Sequence, residues 1–122
     1  MIIGIGNDIV SVSRVRKACL KERFKTRCFT SRELEYCGTK GNMAGASLAG
    51  LFAAKEAVAK ALGTGFCGFG PIDVEVLRDD LGKPYAQLHG KAAELSSGMG
   101  AKALFVSISH CDEYAVATAV IA

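Results

Sequence analysis

Phe52-Ala53-Ala54-Lys55-Glu56-Ala57-Val58-Ala59-Lys60-Ala61-Leu62-Gly63-Thr64-Gly65 is the stretch on which the reading of this chain turns. Alanine and aliphatic residues fill most of it, a composition with high helix propensity. It closes on glycines, which suit the end of a helix. The pattern predicts a long helix over about residues 46–63, with Leu48, Leu51, Val58 and Leu62 as its buried stripe. Glu56 and Lys60 are four apart and share a face beside that stripe. On a solvated surface such a pair is worth only ~0.3–0.5 kcal/mol, but the surrounding alanines argue for a covered face. A carboxylate one turn before an ammonium, next to a glycine turn, suits a cation and a phosphate held side by side. Lys55 falls inside the apolar stripe, a breach of the kind expected at functional sites.

Outward from this helix, residues 2–10 are apolar and β-branched around two glycines and read as a strand ending near Asp8. Ser11 or Ser13 caps a helix running to about residue 28, broken near Leu20. Thr30 and Glu33 fit a capping box for a short helix that stops at Gly38. Residues 38–45, with three glycines, read as a loop. Pro71 to Leu77 alternates as Ile72-Asp73-Val74-Glu75-Val76, a half-buried strand. Residues 79–84 turn into a further strand near 85–88, and 90–98 is a short helix. Lys102 to Ser109 and Tyr114 to Ile121 form a hairpin. Helices bunched between hairpins predict an α+β fold, with a mostly antiparallel sheet packed against a long central helix.

The 122 residues suit one domain, 1–122, and 50% hydrophobic with 22% charged residues is globular composition. Aromatics at 7% and no Trp speak against base stacking and nucleic acid. No basic leader precedes the first apolar run, and no window reaches a membrane span, so a cytoplasmic, membrane-free protein is expected. Five cysteines without a Cys-x-x-Cys, and two histidines, assemble no zinc pattern; the thiols read as reduced apolar packing. Net charge is +3, but residues 11–40 carry +6 and the rest −3. Arg14, Lys17, Lys21 and Lys25 follow a 3-4-4 spacing and line one face if the helix is continuous. They suit an acidic partner, or else form an ordinary solvated face.

Gly63 to Gly68 matches Gly-x-Gly-x-x-Gly, but it follows a helix and precedes a strand, the reverse of a dinucleotide fingerprint. Asp8 alone reads as a cap or strand terminator. Together with Glu56 it suits Mg²⁺, which takes one or two carboxylates plus waters and substrate phosphates. His110 in a hairpin bend reads as structural, and Cys111 beside it makes no nucleophile pair by adjacency.

Gly4-Ile5-Gly6-Asn7-Asp8-Ile9 with Arg14, then Phe52 to Ala57 through Lys60-Ala61 and Gly63 to Gly65, then Gly82-Lys83-Pro84 and Ser107 to His110 with Tyr114-Ala115, resemble in order the motifs of the bacterial holo-acyl carrier protein synthases. The resemblance covers nearly the whole chain and implies the 4′-phosphopantetheinyl transferase fold. It implies transfer of phosphopantetheine from coenzyme A to a serine of acyl carrier protein, with Mg²⁺, releasing adenosine 3′,5′-bisphosphate. By the same resemblance Asp8 and Glu56 hold the metal, and Lys60 neutralises phosphate charge. Gly65 approaches the cofactor, Lys83, Pro84, Ser109 and His110 line its nucleotide end, and Arg14 with its neighbours grips the carrier protein. A homotrimer with sites between subunits is also implied. Two positions depart from the family: Leu51 stands where Arg is frequent, and Cys111 follows His110. Two other readings remain at this stage, a non-catalytic module binding an acidic partner and another Mg²⁺-dependent phosphoester enzyme.

Overall fold

The computed structural model describes residues 1–122. Its elements run β1 (Gly4–Ser11), α1 (Val12–Ala18), α2 (Glu22–Cys28), α3 (Ser31–Gly38), α4 (Ala44–Ala61), β2 (Val74–Arg78), β3 (Pro84–Leu88), α5 (Gly90–Gly98), β4 (Leu104–His110) and β5 (Tyr114–Ile121). The strands form two antiparallel sheets, β1-β5-β4 and β2-β3. The α+β class with antiparallel strands around one long helix is therefore met.

α4 lies across one face of the three-stranded sheet. Strand side chains alternate between faces, and the helix-facing row of β5 is Ala115, Ala117, Ala119 and Ile121, all buried. On β1 the same row holds Gly4, Gly6, Asp8 and Val10, in register with Ile121, Ala119, Ala117 and Ala115. Small residues on both sides remove the usual side-chain layer. A Cβ on Gly4 would run into the Ala61 carbonyl oxygen, and one on Gly6 into that of Ala57. Strand backbone thus touches helix backbone. α4 is buried nearly all round, from Ala46 through Ala61. A helix apolar on all sides belongs inside a core, so the single stripe expected from the sequence is too narrow.

The outer face of that sheet is bare. Ile5, Ile9 and Phe105 are each more than half exposed, and Ile3 and Tyr114 add to the patch. No helix covers this side.

The first helix breaks near Leu20 as expected, the chain turning at Cys19–Lys21 between α1 and α2; Ser11 caps α1 by accepting from Arg14 N at 3.3 Å. Other boundaries differ from the sequence reading. The glycine-rich segment after α3 is a single 3-10 turn, Gly41–Met43, leading into α4 two residues earlier than expected. Pro71–Asp73 is also a 3-10 turn, so β2 starts at Val74. Glu75 was expected on the open side of a half-buried strand, yet it is buried. All five cysteines are free. Cys28 and Cys37 pack in the core, where burial pushes the Cys37 thiol up to about 11. Cys67 and Cys111 are exposed, so packing does not describe them.

Candidate active site

Asp8 lies in the middle of β1, not at its end. It is on the helix-facing row, two residues after Gly6, where strand and helix backbones meet. That contact carries its carboxylate to α4, where Lys60 Nζ sits 3.0 Å from Asp8 Oδ1 and donates to Asn7 O at 2.9 Å. Asn7, on the opposite face, donates to Ala117 O and Thr118 Oγ1 and ties the strand to β5. Glu56, one turn before Lys60, is half-buried. Burial pushes its carboxyl above the usual range, the neighbouring Asp8 charge adds to this, and Lys60 pulls back. The two carboxylates are close enough to repel, which is the electrostatic condition for a cation between them. Lys60 is not on a covered face: its side chain is 52% exposed and has room to leave Asp8.

The chain leaves α4 through a glycine turn. Leu62 N, Gly63 N and Gly65 N donate back to Val58 O, Lys60 O and Ala59 O. Gly63 and Gly65 take φ of 87° and 63°, a region that only glycine enters cheaply. No group of three or more His, Cys, Asp or Glu in the chain is placed to hold a metal ion. A metal here would draw on two carboxylates and take the rest from water and ligand oxygens, a donor set that fits Mg²⁺.

The other predicted residues lie on the β2–β3 hairpin and at the end of β4. Lys83 and Pro84 leave the β2–β3 turn, where Asp79 Oδ1 accepts from Leu81 N and Lys83 N. Ser109 and His110 end β4. None of the four makes a hydrogen bond or ion pair with Asp8, Glu56 or Lys60. Leu51 is buried in the core and so contributes packing. The basic residues also divide. Arg14, Lys17 and Lys21 rim one cavity of about 440 Å³, and Arg14 overhangs an adjoining one of about 280 Å³ floored by Val10, Val15, Phe24 and Phe52. Lys25 lines a different groove, with Arg16 and Cys19. The break after α1 turns it away, so the four do not share one face.

One cluster escaped the sequence reading. Lys55 and Glu33 are both fully buried and paired at 2.8 Å. Desolvation pulls Lys55 below the usual lysine range, and the Glu33 carboxylate holds it back. Glu33 also closes the predicted capping box, accepting from Thr30 N, and accepts from Val76 N. Thr30 Oγ1 donates to Glu75 Oε2 at 2.7 Å, and His89 and Arg32 approach Glu75 Oε1. The available signal was Lys55 itself, since a lysine within an apolar stripe needs a buried carboxylate partner.

Residues 4–119 match the profile of the 4′-phosphopantetheinyl transferase superfamily. The chain is 49% identical over 121 residues to a holo-[acyl-carrier-protein] synthase of Alkaliphilus metalliredigens, covering 98% of each chain. It superposes on the crystal structure of the Neisseria meningitidis holo-[acyl-carrier-protein] synthase with a TM-score of 0.88 at 34% identity, covering 100% of this chain and 99% of that one. The Bacillus anthracis holo-(acyl-carrier-protein) synthase, solved in complex with CoA (3′,5′-ADP), gives a TM-score of 0.81 at 36% identity over 99% of this chain and 96% of that one.

Proposed function

The chain belongs to the 4′-phosphopantetheinyl transferase superfamily, and from that premise we propose how it transfers the 4′-phosphopantetheine group of coenzyme A to a serine of apo-acyl carrier protein. The observation that carries the site assignment is the Asp8–Lys60 pair beside Glu56, held by backbone contact between β1 and α4. In the reaction the serine oxygen forms a bond to the β-phosphorus of coenzyme A. The bond from that phosphorus to the bridging oxygen breaks, and adenosine 3′,5′-bisphosphate leaves with the electron pair. Charge builds on the phosphate oxygens, so positioning and electrostatics carry the catalysis. Lys60, half exposed, swings from Asp8 to the incoming phosphates and neutralises them. Glu56, whose affinity for a proton is raised, takes the serine proton directly or through a water it holds. Mg²⁺, held by Asp8 and Glu56, would supply charge neutralisation and a template for the pyrophosphate when bound.

Gly65 offers backbone to the cofactor, while Lys83, Pro84, Ser109 and His110 receive its nucleotide end. Arg14, Lys17 and Lys21 take the acidic carrier protein, with the apolar floor under Arg14 for its side chains. Lys25 lies off that surface. The bare sheet face of Ile5, Ile9 and Phe105 supports a homotrimer. In such an assembly each site is completed by residues of a neighbouring copy. Residues 1–122 act as one domain. No helix is long and apolar enough to cross a membrane, and we place the protein in the cytoplasm without a nucleic-acid partner.

The test mixes the protein with coenzyme A, Mg²⁺ and apo-acyl carrier protein and weighs the carrier by mass spectrometry. A phosphopantetheine gain is expected; its absence sinks the reading. Glu56→Ala abolishes the gain, and normal turnover in that variant removes Glu56 from the site.

A further inference from the structure

We infer that Lys55 is a positioning residue for coenzyme A: its buried ammonium fixes the far end of the glycine turn that carries Gly65. This extends the transferase reading and rests on it only for the kinetic arm of its test.

The chain from Gly63 to Gly70 has no helix or strand of its own. Its near end is anchored to α4 by Gly63 N and Gly65 N on the carbonyls of Lys60 and Ala59. Its far end returns at Pro71, where Lys55 Nζ donates to Pro71 O at 3.0 Å and, three residues on, to Val74 O at 2.6 Å. The third proton goes to Glu33 at 2.8–2.9 Å. The anchors lie four to five residues apart on one helix, about 7 Å along its axis. The turn is therefore a loop clamped at both ends to the element that presents Glu56. Successive helix residues point about 100° apart, so Lys55 reaches β2 while Glu56 turns toward Asp8. Lys55 never touches the proposed cofactor, yet it sets where the backbone beside Gly65 stands. The Lys55 ammonium supplies three donors at this point. Methionine of similar length takes this donor from Pro71 O and Val74 O and leaves the buried Glu33 carboxylate with only the Thr30 and Val76 amides.

The test compares wild type, Lys55→Met, Glu33→Gln and a remote destabilised control, Ala92→Gly in α5, at a temperature where each is folded. Amide hydrogen exchange reads the loop directly. Faster exchange confined to residues 63–71 is expected for Lys55→Met, against a change centred on α5 for the control. With the transferase assay, the KM for coenzyme A rises by roughly tenfold or more, while that for the carrier protein stays within about twofold. Uniform or unchanged exchange, or an unchanged KM for coenzyme A in an active enzyme, overturns the inference. If Lys55→Met does not fold, Glu33→Gln carries the same test: faster exchange across 63–71 supports the inference, and unchanged exchange overturns it. Wild type without transferase activity defeats the functional reading and leaves the exchange result standing.

Discussion

Gly6→Ala isolates the contact on which the site depends. Gly6 does not adopt a positive φ, so alanine suits its backbone. Through the unfolded state alone, the change is worth a gain of about 0.4–1 kcal/mol. The structure predicts the opposite sign. The added methyl would overlap the Ala57 carbonyl oxygen and lie 2.8 Å from Ala61 N and 2.9 Å from Ala57 C, where ordinary contact begins at 3.4 Å. All three atoms are helix backbone, which has no rotamer to change, so helix and strand must part by on the order of 1 Å. Overpacking of this kind costs about 1–3 kcal/mol. Each kcal/mol lowers Tm by roughly 4 °C in a domain of this size. Asp8, two residues along the same row, moves away from Glu56 and Lys60. A displacement near 1 Å at reacting groups costs on the order of 100-fold in rate. Thermal unfolding by circular dichroism and carrier modification by mass spectrometry, at a temperature where the variant is folded, read the two effects. Gly38→Ala, which meets nothing within 4 Å, serves as the neutral control. A Gly6→Ala protein as stable as wild type, with turnover within about twofold, would refute the claim that backbone contact positions Asp8.

Two other outcomes follow from the geometry. Burial pushes the Glu75 carboxyl up, but hydrogen bonds from Thr30 and His89 and the Arg32 charge outweigh it and hold it below the ordinary value. Its stabilisation is present above the unfolded Glu pKa of about 4.3 and is lost as pH falls through the lower folded value; Glu75→Gln therefore flattens the acid limb of Tm against pH, and an unchanged limb removes Glu75 from that linkage. Lys17→Glu with Lys21→Glu raises the KM for the carrier protein and weakens its salt dependence, whereas Lys25→Glu, in the other groove, leaves both near wild type; equal effects from the two sets would mean that the partner spans both grooves.

Local chemistry made much of this fold legible. The capping box at Thr30 and Glu33 forms as expected because its two bonds join residues three apart. The β4–β5 hairpin follows from alternation and a short turn. The pairing of Asp8 with Lys60 was visible only as residue types, since the Gly6–Ala57 contact that unites them spans most of the first half of the chain. Glu75 misled because alternation assumes one open face, whereas α3 and the start of α5 close the second. Lys25 misled because a 3-4-4 spacing presumes one helix axis, and the chain turns at Cys19–Lys21. Lys55 appeared as an anomaly because its partners, Glu33, Pro71 and Val74, lie 16 to 22 residues away.

The outer face of the three-stranded sheet carries a consequence beyond packing. In the proposed trimer, catalysis is shared property: no copy owns a whole site. Activity per molecule then depends on abundance, and dilution silences the protein without unfolding it. A copy with a dead α4 and one with dead hairpins, mixed before assembly, regenerate some whole sites between them. On that proposal a chain of 122 residues completes its site by using its neighbour as the missing wall.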